Sequence, residues 1–238
     1  MIKLILLAIS VFITGCSGTY HSYYQTLKLG LSSEPEPVIS LNSVQNSPID
    51  LMQVKRGDRT TVIMALAYIE AGQHKWLSAD EAMLVFEKGR VVRTLGLSTD
   101  LIHLTNKDAD PLKKIAKSIV KKTFKSSAQQ TWDRKADWSG EYGYEIISNL
   151  SNAGEQTLNI LSDNINTTLF IETLSYLAPT NYVQSDNTWK NYFWFHTTTG
   201  ELVKSIQLLS PLDEPIEMVY LSRIARILTI KVNPKVNL

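Results

Sequence analysis

The sequence predicts a mainly β protein, in which an antiparallel meander forms an open barrel or two packed sheets and is accompanied by one or two amphipathic helices. From Thr60 onward, runs rich in β-branched and aromatic residues alternate with short turns that contain glycine. Strands joined by such short turns run antiparallel, whereas parallel strands need a long crossover connection. A strong helical spacing of apolar residues occurs in one segment, around Ile115.

The first residues of the chain have the pattern of a bacterial lipoprotein signal. An apolar run at residues 4–12 follows a lysine and is too short to span a bilayer, which takes about 20 residues. It leads into Ile13-Thr14-Gly15-Cys16, which resembles the lipoprotein box, where the cysteine thiol is acylated with diacylglycerol and becomes the new N-terminus. We therefore expect residues 1–15 to be a lipoprotein signal peptide and Cys16 to be the lipidation site. The alternative is an ordinary secretory signal followed by a chance cysteine.

Residues 16–58 are expected to hold the acylated N-terminus, a short helix and a linker. Ser17 stands where an aspartate would indicate retention in the inner membrane, so it favours transport to the outer membrane. Prolines 35 and 37, in a polar tract, are typical of a linker. The short helix is predicted from residues at helical spacing, which form either a packing face or a contact with the membrane interface. These residues are Tyr20, Tyr23, Tyr24, Leu27 and Leu31.

The charge balance and the cysteine content exclude several classes of function. The chain has 24 Lys and Arg residues against 23 Asp and Glu residues, and the two become equal once Lys3 of the signal is removed. Nucleic-acid-binding proteins normally have a strongly basic face, so we expect no nucleic-acid partner. Acylation of Cys16 consumes the only thiol, which excludes a disulfide, a cysteine nucleophile and a thiolate metal site.

Residues 59–238 are predicted to form a β-rich domain whose strands are joined by four glycine turns. These turns are Ala71-Gly72, Lys88-Gly89, Ala153-Gly154 and Thr199-Gly200. Trp76 precedes the second turn and Trp189 precedes the fourth, in hairpins of similar sequence. The likeness suggests two similar halves, 59–105 and 126–238, although a chance match between two ordinary hairpins is the alternative.

A basic helix over residues 110–124 is predicted to join the two halves. Asp110 is a good N-cap and Pro111 suits the first helical position. One side is apolar, and we interpret the opposite side either as a contact for anionic lipid or acidic polysaccharide, or as a solvated outer face. The candidate contacts on that side are Lys113, Lys114, Lys117 and Lys121.

The sequence contains no recognisable catalytic, metal-binding or cofactor-binding motif, so we expect neither an enzyme nor a cofactor. Strand alternation in the segment 131–138 places Trp132, Arg134 and Trp138 on one face. These three residues are interpreted as core or interface packing, or as a platform for sugar rings. Hydrolysis by the aspartates of the other face is a weaker alternative, because two carboxylates in one strand do not flank a substrate.

The lipoprotein box and three further stretches resemble the YjbF/GfcB family of outer-membrane lipoproteins, which is associated with group 4 capsule and exopolysaccharide operons. The stretches are residues 72–80, 89–97 and 191–194. The resemblance implies a lipid-anchored protein of the cell outer membrane that faces the periplasm. It further implies a non-enzymatic accessory role in capsule or exopolysaccharide assembly or export. Polysaccharide or export-machinery proteins would then be the partners, and the family supplies no catalytic residues.

A carrier function stays open as an alternative. The aromatic run 192–195, with the turn that follows it, is similar to the late hairpin of LolA/LolB-like open barrels, whose apolar concave face accepts acyl chains. A carrier of a lipid or another apolar ligand would need a deep apolar cavity lined by Phe193 and Phe195. An enzyme would instead need a convergent acid and base, which the sequence does not indicate.

Overall fold

The fold is a twelve-stranded antiparallel sheet accompanied by short helices. The structure is a computed structural model that describes residues 39–123, 130–177, 188–211 and 213–232. The helices in these ranges are α1 (Leu41–Gln45), α2 (Leu112–Val120), α3 (Leu221–Val232) and a 3-10 turn (Lys107–Ala109). The strands are β1 (Leu51–Arg56), β2 (Val62–Glu70), β3 (Gln73–Leu77), β4 (Met83–Glu87), β5 (Arg90–Leu95), β6 (Leu101–Leu104), β7 (Gln130–Trp138), β8 (Glu141–Ile160), β9 (Asp163–Leu177), β10 (Thr188–His196), β11 (Leu202–Gln207) and β12 (Ile216–Val219).

The strands form one continuous sheet that almost closes on itself. Their order is β5-β4-β3-β2-β1-β12-β11-β10-β9-β8-β7-β6, so the first and last strands of the chain are neighbours at its centre. The two outermost strands approach each other, and the Leu101 N–H donates a hydrogen bond to Thr94 Oγ1 at 2.9 Å. The mainly β, antiparallel prediction is confirmed, and of its two forms the structure adopts the barrel-like one.

Three of the four predicted turns connect strands, and the fourth prediction is wrong. Residues 71–72 and 88–89 have positive φ and join neighbouring strands, and residues 199–200 lie in the β10–β11 connection. Strand β8 instead runs through Gly154, where the register with β9 shifts. The turn comes at Leu161 and Ser162, which have φ values of 55° and 66° without any glycine. Gly154 therefore marks a β-bulge inside a strand, which is the usual alternative to a turn for a glycine in a β-rich segment.

The structure places regular elements in the predicted linker and joins the predicted halves in one sheet. Strand β1 pairs with β2 on one side and with β12 on the other, so it connects the segments 59–105 and 126–238. Both β1 and α1 lie before residue 59, so the boundary predicted at residue 58 is too late. Strand β1 is short, and its buried Met52 and Val54 give too brief an alternation to distinguish it from a loop.

Two apolar clusters lie on opposite faces of the sheet. The larger fills the inner face of the barrel, and its most completely buried side chains include Trp132, Phe170, Phe193 and Tyr220. The smaller cluster forms where α3 and α1 cover the outer face beside β1, β11 and β12. The buried residues of α3 recur at three- and four-residue spacing, as expected for an amphipathic helix. They are Leu221, Ile224, Ala225, Ile227 and Leu228.

Helix α2 packs against one end of the barrel. The Asp110 carboxylate accepts a hydrogen bond from the Leu112 N–H at 3.0 Å, which is the cap that the sequence predicts. Leu112 and Ile115 are buried in the inner cluster. The helix is shorter than the predicted 110–124, because Lys122 takes a φ of 50° that ends the helical turn.

Replacing Gly200 with alanine is expected to lower the free energy of unfolding by about 2–5 kcal/mol. The new Cβ would lie 2.4 Å from the Ala116 carbonyl oxygen of α2, at a φ of +68°. Gly140→Ala is the control, because Gly140 also has a positive φ but a Cβ added there meets no atom within 4 Å. The free energy of unfolding of this control should fall by about 1–2 kcal/mol. Denaturant unfolding measures both, and equal losses would show that α2 does not pack tightly against this loop.

Candidate ligand site at one end of the barrel

The connections at one end of the barrel surround a cavity of about 420 Å³. Because neighbouring strands are antiparallel, the β2–β3 turn, the β4–β5 turn and the β10–β11 loop all lie at this end. Helix α2 and the first turns of α3 complete the wall through Leu112, Lys113, Arg223 and Arg226. Cavities of about 300–1,000 Å³ are typical of small-molecule sites.

Apolar and charged side chains both line this end cavity. Leu66, Phe86 and Phe195 are among the apolar residues, while Asp50 and Glu201 are the acidic ones. Four cationic side chains outnumber these two acids. The cationic residues are Lys88, Lys113, Arg223 and Arg226.

Two of the four cations are already paired with carboxylates. Arg226 donates to both carboxylate oxygens of Asp50, at 2.7 and 3.2 Å. Lys113 Nζ lies 2.6 Å from Glu87 and 3.0 Å from Asp108. These pairs offset one another, so neither Arg226 nor Lys113 supplies the excess charge of the cavity.

Arg223 and Lys88 supply that excess charge. The Arg223 guanidinium lies 4.2 Å from the centre of the Tyr220 ring and donates one hydrogen bond to the Leu202 carbonyl, at 3.1 Å. Lys88 is exposed at the β4–β5 turn. Within the described ranges, neither side chain has a carboxylate at ion-pair distance.

Burial and the positive charges of the cavity both lower the pKa of His74. Burial lowers the pKa below its ordinary value of 6.5, and the charges of Arg223 and Lys88 lower it further, against the opposing charge of Asp50. The imidazole is therefore neutral near pH 7. It can offer one hydrogen-bond donor and one acceptor to a ligand without adding charge.

A second group of charges is enclosed inside the barrel. Arg90 Nε lies 2.9 Å from Asp110, and the two other Arg90 nitrogens lie 2.5 and 3.2 Å from Glu172. Arg134 lies 3.4 Å from the same Glu172 carboxylate and donates to Ser148 Oγ at 2.8 Å. We call Arg90, Asp110, Arg134 and Glu172 the buried ion network.

Mutual pairing keeps this network charged and satisfied. Burial alone would raise the pKa of Glu172, but the charges of Arg90 and Arg134 outweigh it and lower the pKa from 4.5 to about 2. Burial lowers the pKa of Arg134 to about 10, against the charge of Glu172, so this guanidinium stays protonated. The space beside the network is only about 20 Å³, which admits a water molecule and no substrate. The network is therefore a structural element of the core.

Comparison with known proteins identifies the family. A family model described as "Group 4 capsule polysaccharide lipoprotein gfcB, YjbF" matches residues 24–221, which is most of the chain. The chain belongs to the YjbF family of lipoproteins. The resemblance based on the lipoprotein box and the three sequence stretches is thereby confirmed.

Relatives of known sequence and structure agree with this assignment. The uncharacterized lipoprotein GfcB of Escherichia coli K12 is 30% identical over 93% of this chain and 98% of its own length. The uncharacterized lipoprotein YjbF of the same strain is 28% identical over 86% and 90%. The crystal structure of the hypothetical lipoprotein YmcC from E. coli K12 covers 77% of this chain and 88% of its own, with 30% identity and a TM-score of 0.65. The fold of this YjbF-family protein is therefore shared with a solved relative.

The predicted sugar platform is wrong as a surface feature of this YjbF-family protein. Trp132, Arg134 and Trp138 do share one face, but it is the inner face of the barrel, and they are only 1%, 6% and 4% exposed. The Arg134 guanidinium lies 3.8 Å from the centre of the Trp132 ring, and Trp138 Nε1 donates to the Leu209 carbonyl at 3.2 Å. Alternation identifies a shared face but not which face is solvated, so the packing interpretation is the correct one.

The other predicted contacts have different outcomes. Lys113 is held by Glu87 and Asp108, whereas Lys114, Lys117 and Lys121 are exposed, so a solvated face and an anionic contact both remain predictions for them. Cys16 and the predicted residue 20–31 helix lie outside the described residues. Phe193 is completely buried in the core, and Phe195 borders the end cavity.

Sequence reasoning missed the arginines of α3 that line the end cavity and the buried carboxylate of the ion network. Arg223 and Arg226 lie three residues apart in α3, a helix whose apolar spacing was visible but was not predicted. Glu172 sits between the inward-facing Phe170 and Leu174, a pattern that places a carboxylate in the core and requires a cationic partner.

In the described ranges, no group of three or more acidic, histidine or cysteine side chains is arranged to hold a metal ion. In those same ranges, every helix is too short or too polar to cross a bilayer.

Glu172→Gln is expected to lower the free energy of unfolding by about 3–5 kcal/mol near pH 7, because it leaves buried guanidinium groups underpaired. In the native protein Glu172 has a pKa of about 2, below its ordinary 4.5, so its stabilisation is complete above about pH 5 and disappears as pH falls toward 2. Between pH 5 and pH 2, the free energy of unfolding of the native protein should therefore fall by about 3 kcal/mol more than that of the variant.

Glu145→Gln in the adjacent strand is the matched control for this measurement. Glu145 is 55% exposed and lies 3.1 Å from Lys135, so its removal should change stability by less than about 1 kcal/mol. Chemical denaturation at several pH values provides the comparison. An equal pH dependence for native protein and Glu172→Gln would contradict the assigned role of the network.

Proposed function

We propose that this protein is a lipid-anchored lipoprotein of the outer membrane that acts, without catalysis, as an accessory factor in capsule or exopolysaccharide assembly or export. The observation that carries the proposal is the family match over residues 24–221, whose description names group 4 capsule polysaccharide. The anchor is Cys16, and Ser17 favours sorting to the outer membrane.

The end cavity supports binding as the mode of action. Its apolar and cationic lining residues are together suited to hold a ligand in a defined orientation. Glu172, the acid inside the barrel whose pKa is strongly lowered, forms ion pairs with Arg90 and Arg134. The space beside it is too small for a substrate. A perturbed pKa there reflects a structural ion network, so it gives no support to an enzyme.

The carrier alternative receives less support from the inner face of the barrel. Large side chains, including Trp132, Phe170 and Phe193, fill that face, and each is no more than 1% exposed. A LolA/LolB-like carrier would need an apolar lumen at this place. We therefore favour recognition at the end of the barrel over transport of an acyl chain inside it.

Deleting the gene is expected to change the amount, chain length or surface attachment of capsule or exopolysaccharide in the native host. Extraction of surface polysaccharide, followed by sizing on gels and quantification of its sugars, measures all three properties. The wild-type gene supplied on a plasmid should restore them. Unchanged polysaccharide in the deletion strain would overturn the proposed function.

Cys16→Ser is expected to abolish lipidation and release the protein from the outer membrane without changing its fold. Metabolic labelling with a fatty-acid analogue tests acylation, and membrane fractionation tests location. Ser17→Thr is the control, because it keeps the thiol and introduces no aspartate, so labelling and location should be unchanged. A Cys16→Ser protein still found in the outer membrane fraction would contradict the anchoring role.

A further inference from the structure

We propose that the end cavity binds a sugar residue carrying a negatively charged group, with Arg223 and Lys88 as its cationic contacts. The choice of a saccharide rests on the proposed function, whereas the requirement for negative charge rests on the cavity itself. Carboxylate and phosphate both place such charge on a sugar, and both match the donors of a guanidinium.

The excess positive charge of the cavity favours a negatively charged ligand. Arg226 is held by Asp50, and Lys113 by Glu87 and Asp108. Of the acidic residues that line the cavity, Glu201 is then left to offset both Arg223 and Lys88, so the positive charge exceeds the negative. A concave site with low-dielectric walls strengthens the attraction of such charges for an anion.

The Arg223 guanidinium is held in a fixed orientation. Stacking on Tyr220 and the hydrogen bond to the Leu202 carbonyl fix its guanidinium before any ligand arrives. One hydrogen bond to a carbonyl uses part of the five donors that an arginine has. Arg223 lines the cavity, and a fixed side chain loses little entropy when it binds.

The remaining surface of the cavity suits a sugar ring rather than a bare anion. Phe86, Phe195 and Leu202 provide apolar surface for the C–H face of a ring. Glu201 and the neutral His74 offer hydrogen-bonding groups for hydroxyls. The volume of about 420 Å³ leaves space beyond that of a single small anion.

The direct test measures binding of three probes to the full-length protein in a neutral detergent at physiological salt. The probes are glucuronic acid, glucose 1-phosphate and glucose, and NMR titration gives their dissociation constants. At least one acidic sugar should bind about tenfold or more tightly than glucose, since a hydrogen bond to a charged group contributes about 1.5–3 kcal/mol. The stronger of the two acidic probes identifies carboxylate or phosphate as the charged group.

Two substitutions assign the binding to the cavity. Arg223→Gln and Lys88→Gln should each weaken the preferred acidic probe by about tenfold and leave glucose unchanged. Lys190→Gln is the control, because Lys190 is an exposed lysine near the other end of β10 and should have no effect. Lys88 is exposed in a turn, so its substitution remains informative even if Arg223→Gln destabilises the fold.

Three results would overturn the inference: equal affinity for glucose and both acidic probes, no binding of either acidic probe, or unchanged affinity in Lys88→Gln and a folded Arg223→Gln. Complementation separates this outcome from the proposed function. If a gene that carries both Lys88→Gln and Arg223→Gln restores polysaccharide in the deletion strain as fully as the wild-type gene does, the cavity assignment is wrong and the accessory role stands. If acidic sugars bind through Arg223 but deletion leaves polysaccharide unchanged, the accessory role is wrong.

Discussion

The ion pairs of Arg90 with Asp110 and Glu172 are the constraint on which the rest of this structure depends. Arg90 begins β5, one outer strand of the sheet, while Glu172 lies in β9 on the opposite side of the inner space. Asp110 caps α2 and Arg134 lies in β7, near the other outer strand. The network therefore links both margins of the sheet to the helix at its end. Enclosing four charges costs several kcal/mol for each unless they are mutually paired, so removing one partner alone destabilises the barrel.

The same network positions the end cavity. Lys88 and Gly89 directly precede Arg90, and Leu112 and Lys113 follow Asp110 by two and three residues. All four border the cavity, so the buried charges fix two of its walls. Helix α3 supplies the remaining cationic side, because its apolar face packs on the outside of the sheet. The barrel thus presents a cationic opening on a rigid support, as the proposed binding role requires.

The sequence allowed the fold class and family to be predicted, because strand alternation and glycine turns are local signals. Lys88-Gly89 was correctly predicted as a turn, whereas Gly154 proved to be a bulge, since a glycine alone does not distinguish the two. The face shared by Trp132 and Trp138 was predictable, but its burial was not, because barrel closure depends on distant pairings. The end cavity joins β2, β4, α2, β10 and α3, so only the folded chain reveals it.

Photo-crosslinking in living cells tests most directly whether this protein meets polysaccharide at the end of its barrel. A photoreactive amino acid at Thr198, exposed in the β10–β11 loop beside the cavity, is compared with one at Tyr142, which is 74% exposed at the β7–β8 end. The proposed account predicts a polysaccharide-bearing adduct from position 198 and little or none from position 142. Equal adducts from both positions, or none from position 198, would contradict it.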